Sequence, residues 1–158
     1  MDIEKELATN TFDDIELFTF ENIITKCKVV KVYDGDTNTI VFYYKNAPIK
    51  VNLRMFGYDT PEIKLCKSNE NAELHKEAGL HVRNIVTKKL LGKIFWIKFY
   101  KEEKYGRCLG ELYENGEKLD ENLSINKWVI ANGYGKEYTG GKKEKFTKEE
   151  LELIIKQN

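Results

Sequence analysis

The sequence predicts an α+β fold, mainly β with helices: a five-stranded Greek-key barrel packed with three helices. Three observations lead there. Short runs of β-branched and aromatic residues, separated by turn signals, fill residues 24–56. One long amphipathic stretch then interrupts the strands, at about residues 70–91. Two more β-rich runs follow, and after them the periodicity turns helical.

Taken in order, ITKCKVVKVY (residues 24–33) is a β-rich run whose middle alternates, and DGDT closes it as a turn. NTIVFYY follows, and KNAP is the next turn. IKVNLRMF alternates with period two: Ile49, Val51, Leu53 and Met55 share one side, and Lys50, Asn52 and Arg54 the other. These three runs form a meander. Residues 57–69 read as a loop. Leu74, Ala78, Val82, Ile85 and Val86 then form the apolar stripe of a helix, with Gly92 as its stop. KIFWIKFY is apolar enough for a central strand, and RCLGELY is a fifth, ending in an Asn-Gly turn. Residues 121–131 are helical, and 132–146, rich in glycine and lysine, are irregular. Thr147 and Glu150 form a capping box opening a last short helix. The order βββ-α-ββ-α-α is the OB arrangement, a barrel that commonly binds oligonucleotides, although a fold alone does not fix function.

Length and composition narrow the class. The 158 residues suit one domain, and 41% hydrophobic residues suffice for a core. No apolar run is long enough for a membrane span. The start, MDIEKELATN, lacks an apolar stretch of the secretory kind, so the expectation is a protein kept inside the cell that makes it. Cys27, Cys66 and Cys108 are widely spaced and odd in number, which favours free thiols over a disulfide framework. His75 and His81, six apart on one helix, point different ways and do not make a zinc site. The net charge is zero, but residues 1–22 carry seven acids and one lysine, leaving 25 basic and 19 acidic groups in residues 23–158. The chain thus divides into an acidic extension, 1–22, and a mildly basic body, 23–158, that suits a polyanion. The extension either lies over the body and competes with nucleic acid or serves solubility.

Two turns concentrate carboxylates. YDGDT carries Asp34 and Asp36, and YDTPE carries Asp59 and Glu62. Each alone fits an ordinary turn, with Asp bonding local amides and Gly35 taking a positive φ. They follow strands one and three, which run the same way, so both can sit at one end of the meander. Three arginines stand against 23 lysines, so Arg54 and Arg107 suggest a need for the planar fork that grips phosphate. Arg83, within a helix, looks structural. Asp36, Asp59 and the Thr60 carbonyl offer only oxygen, which suits Ca²⁺ or Mg²⁺. Glu62, held past Pro61, can act as a general base.

YDGDT, LRMFGYDTPE and KYGR, in this order and at these separations, resemble the staphylococcal nuclease-like (thermonuclease) family over roughly residues 24–146. The resemblance implies an OB-type barrel and Ca²⁺-dependent hydrolysis of phosphodiester bonds in DNA and RNA, leaving 3′-phosphate ends. It matches Asp36, Asp59 and Thr60 to the calcium ligands and Asp34 to an acid supporting them. It matches Glu62 to the general base and Arg54 and Arg107 to the phosphate-binding arginines. One Ca²⁺ is expected, with Mg²⁺ or Mn²⁺ the alternatives inside a cell, and DNA or RNA is the expected partner of a monomer. The nucleotide-contacting tyrosines align loosely: Tyr105 is best placed, beside Arg107, with Tyr134 and Tyr138 as further candidates. The competing reading is a non-catalytic OB module that binds nucleic acid or protein.

Overall fold

The computed structural model describes residues 1–101 and 106–157. Its strands are β1 (Ile24–Val32), β2 (Thr37–Tyr44), β3 (Ala47–Met55), β4 (Gly57–Asp59), β5 (Ile94–Tyr100), β6 (Cys108–Tyr113) and β7 (Lys136–Tyr138). Its helices are α1 (Ile3–Thr9), α2 (Ala72–Leu90), α3 (Ile125–Ala131) and α4 (Lys148–Lys156). Strands β1, β2, β3, β6 and β5 close a barrel in that order. All its neighbours are antiparallel except β3 and β6, whose parallel pairing closes the ring in the expected OB manner.

Local chemistry explains the elements. Lys45 and Asn46 both take positive φ, 48° and 63°, the geometry of a two-residue hairpin turn that suits strand twist. Alternate residues of the strands, among them Val29, Ile40, Phe42, Leu53 and Ile97, fill the barrel interior. Ala78, Val82, Val86 and Leu90 lie buried along one stripe of α2. Gly92 ends that helix at φ 77°, a conformation costly for any other residue. The capping box of α4 is present, with reciprocal Thr147 and Glu150 bonds. Lys136 also pairs with Glu150 at 2.7 Å, which ties β7 to α4.

Three differences from expectation have physical reasons. The loop assigned to 57–69 begins with β4, and the irregular stretch 132–146 contains β7; the two pair antiparallel. Three residues cannot display a period, so neither strand has a signature. The helical stretch 121–131 divides into a 3₁₀ turn (Glu121–Leu123) and α3, because Ser124 caps the second helix through the Lys127 amide. The extension contains α1, which buries none of its residues. Phe20 is its firm attachment, packed on Phe42, Tyr44 and Phe99. Phe12 and Leu17 stay exposed. Among the described residues no salt bridge joins 1–22 to the body.

Cys27 and Cys66 are free thiols, and no described helix is long and apolar enough to cross a membrane. Asn38 is unusual. It points into the barrel, fully buried, and neither amide atom finds a partner among the described residues. An unpaired buried amide costs about 1–3 kcal/mol. Asn38→Val is therefore expected to raise the thermal midpoint by several degrees. An unchanged or lower midpoint by calorimetry would mean that the amide is satisfied.

Candidate functional site

The site forms where β1, β2 and β3 end or begin near each other. Thr37 opens β2 opposite Arg54 near the end of β3, and Met55 donates its amide to the Asp36 carbonyl at 2.8 Å. The two acidic turns meet directly. The Thr60 amide and hydroxyl both donate to Asp36 Oδ2, each at 3.1 Å. Gly35 permits this approach by lacking a side chain rather than by its φ, which is not positive. A Cβ there would lie 2.7 Å from both Thr60 and Val82. Tyr58, wholly buried, donates its hydroxyl to the Gly35 carbonyl at 2.8 Å and locks the first turn onto the second.

Arg54 lies at the centre, only 4% exposed. Its Nη1 donates to the Met55 carbonyl at 2.8 Å. Its Nη2 stands 3.3 Å from Asp59 Oδ1 and 3.5 Å from Asp36 Oδ2. Both carboxylates thus face one nitrogen. Asp36 Oδ1 accepts from the Thr37 hydroxyl at 3.1 Å, and that hydroxyl accepts from Arg107 Nη1 at 3.2 Å. Arg107 is thereby linked to the acids through Thr37. Asp34 accepts from the Asp36 amide at 3.1 Å, a supporting position.

Lys143 completes the cluster, and no sequence pattern singled it out. Its Nζ donates to Asp59 Oδ1 at 2.9 Å and to Glu62 Oε1 at 3.2 Å. Gly140 and Gly141, at φ 110° and 82°, turn the chain after β7. Nothing in the run GGKKEK marks one lysine among so many; the glycine pair is the single available clue. Beside these groups lies a cavity of about 350 Å³, lined by Asp59, Thr60, Glu62, Lys143 and Phe146. His75 also lines it, and its Nδ1 is buried without a partner among the described residues.

The electrostatics follow from burial. Burial, then the adjacent Asp36 charge, push Asp34 up to about 6. Burial raises Asp59 as well, against the lowering effect of the Lys143 contact. Burial would lower Lys143, but its bond to Asp59 and the Asp59 and Glu62 charges outweigh that and hold it above the ordinary lysine value. Burial lowers His75, partly offset by Glu62.

Among the described residues, no group of three or more His, Cys, Asp or Glu side chains is placed to hold a metal ion. Asp36 and Asp59 offer two carboxylates. They are buried, hard oxygen donors facing a common point, with Thr60 next in the chain and a cavity open beside them. That donor set fits a hard divalent cation that keeps most of its shell for water and phosphate oxygens.

Of the tyrosines, Tyr138 is near the site, its ring centre 5.9 Å from the Arg54 guanidinium. Tyr134 is 6% exposed and packs on Trp128, which leaves it little surface for a nucleotide. Tyr105 lies outside the described residues.

A family model described as "Staphylococcal nuclease homologue" matches residues 52–157, two-thirds of the chain. The chain belongs to that family. Within the staphylococcal nuclease homologues, it is 33% identical over 72 residues to "Staphylococcal-like nuclease CAN1" of Arabidopsis thaliana, covering 46% of this chain and 19% of that protein. It is 24% identical over 106 residues to an "Uncharacterized endonuclease" of Escherichia coli O157:H7, covering 67% of this chain and 56% of that protein. The matches thus span about a fifth and just over half of these two relatives' own lengths. The matched region contains Arg54, Asp59, Thr60, Glu62 and Arg107, whereas Asp34 and Asp36 precede it.

Proposed function

We propose that this chain is a Ca²⁺-dependent nuclease that hydrolyses phosphodiester bonds in DNA and RNA, internally and with 3′-phosphate products. The observation that carries this reading is the convergence of Asp36, Asp59, Arg54 and, through Thr37, Arg107 beside the cavity that Glu62 lines. Asp36, Asp59 and the Thr60 carbonyl would hold the ion. Bound there, it supplies Lewis-acid polarisation of a phosphate oxygen and orientation of a water.

The chain's own groups do the rest. Glu62, partly exposed at the cavity, takes the proton of the attacking water. Arg54 and Arg107 offset the charge that grows on the phosphoryl oxygens. Asp34 fixes the Asp36 backbone, and Thr37 fixes both Asp36 and Arg107. Tyr138, beside Arg54, is better placed than Tyr134 to meet a nucleotide.

A panel of Ca²⁺, Mg²⁺ and Mn²⁺ on labelled DNA and RNA, with end-group analysis, tests the reading. Cleavage with Ca²⁺ and 3′-phosphate ends is expected. Binding without cleavage under every ion would favour the OB binding module instead.

Lys143 makes a separate prediction. Its ammonium neutralises Asp59 and Glu62, so a divalent ion must displace it. Lys143→Gln is expected to tighten Ca²⁺ about two- to fivefold, the scale of a half-exposed ion pair, read by calorimetric titration. Weaker binding in the variant would show that Lys143 positions the acids instead of competing for them.

A further inference from the structure

A β-bulge re-aims part of the first strand. Cys27 and Val29 are buried, and the pairing of β1 with β2 then slips between Val29 and Lys31. Beyond the slip, Lys31 and Tyr33 are exposed, where uninterrupted alternation would have kept them on the inner side with Val29. Lys31 now stands opposite Thr39, and Thr39 opposite Asn52. The Tyr33 amide bonds the Thr37 carbonyl, and Thr37 stands opposite Arg54. Two rows thus cross the outer face of the barrel: Lys31, Thr39 and Asn52, then Tyr33, Thr37 and Arg54.

These rows border a groove of about 330 Å³ lined by Lys31, Tyr33, Thr37, Thr39, Asn52 and Arg107. Among the described residues, no acidic side chain lines it. Its floor is polar and neutral, the Thr39 hydroxyl donating to Asn52 at 3.1 Å. Tyr33 is 48% exposed, and Lys64 Nζ stands 5.9 Å from its ring centre. Arg107 lines the groove and donates to Thr37, whereas the cavity beside Glu62 is lined by a different set, Asp59, Thr60 and Lys143 among them.

We infer that this groove binds the single-stranded nucleotide next to the scissile phosphate, with its base stacked on Tyr33 and its phosphate met by Lys31 and Lys64. The inference rests on the nuclease reading for the position of the scissile phosphate, but its ligand is set by the groove itself. An aromatic face flanked by cations and by neutral hydrogen-bonding side chains is a base-stacking platform with no strong preference for one base. The bulge gives the platform its two outward residues.

The test is binding of fluorescently labelled single-stranded oligonucleotides of increasing length, by anisotropy in Ca²⁺, alongside cleavage. Tyr33→Ala is expected to weaken oligonucleotide binding about five- to hundredfold, the range for one lost base stack, with an unchanged thermal midpoint. Tyr33→Phe should retain parental affinity. Lys31→Ala should lower the slope of log affinity against log salt by about 0.7, one phosphate contact on a single strand. In cleavage, Tyr33→Ala should raise KM on oligonucleotides with kcat nearly constant. It should not affect a nucleoside phosphodiester whose second ester is nitrophenyl. Equal affinity of parent and Tyr33→Ala would overturn the inference while leaving the nuclease reading intact. Oligonucleotide binding that depends on Tyr33 without any cleavage would do the reverse. A parent chain that neither binds nor cleaves would remove both.

Discussion

Glu62→Gln is expected to lower turnover on single-stranded DNA by about 10²–10⁴-fold while leaving nucleotide affinity within a few fold. The amide keeps the shape of the side chain and cannot accept a proton. The side chain is 47% exposed, and its ion pair is with Lys143, so the substitution should cost stability no more than about 1 kcal/mol. The required measurements are single-turnover cleavage and anisotropy on the same preparation. Parallel loss of affinity and turnover would assign Glu62 a structural role, and parental turnover would remove it from the chemistry.

Arg54→Met is expected to have the largest effect on stability. Arg54 is buried between Asp36 and Asp59, and removing it leaves two buried carboxylates facing each other with Lys143 on one of them alone. Breaking a buried pair in this way costs about 3–5 kcal/mol. Urea denaturation in EDTA should show that loss, and cleavage should vanish with it. Arg107→Met offers the contrast. Arg107 is half-buried, and its bond to Thr37 reaches Asp36 only through that hydroxyl, so cleavage should fall with a smaller loss of stability than for Arg54→Met. A stability change below about 1 kcal/mol for Arg54→Met would show that the two acids do not depend on the arginine.

These two arginines also show what was legible in the sequence. Both stood out because the chain otherwise uses lysine, and both lie beside the acids. The barrel strands were legible as β-rich or apolar runs bounded by turn signals, with period-two alternation plainest in β3. The meeting of Asp36 with Thr60 followed from the parallel sense of strands one and three. Strands β4 and β7 were not legible, since three residues hold no period. Lys143 was not, because its role comes from a bend at Gly140 and Gly141 and not from its neighbours. Gly35 was assigned the wrong reason: the pattern DGDT suggests a positive φ, while the requirement is room for Thr60 and Val82. The extension was half legible. Lying over the body was one of its two readings, and Phe20 does pack back, but onto Tyr44 at the far end of β2 from Thr37 and the acids. Competition with nucleic acid by direct cover of the site therefore has no contact to support it among the described residues. Tyr134 was a candidate because the family resemblance implies nucleotide-contacting tyrosines in that stretch, and in the structure its ring packs on Trp128.

The central claim is that Asp36, Asp59 and Thr60 make phosphodiester hydrolysis depend on a divalent ion. Its most direct test is release of acid-soluble nucleotides from single-stranded DNA by the purified chain in millimolar Ca²⁺, in EDTA, and in EDTA followed by excess Ca²⁺. The account predicts release with Ca²⁺, none in EDTA, and recovery on restoring the ion. Release that continues unchanged in EDTA, or no release under any of the three conditions, would contradict it.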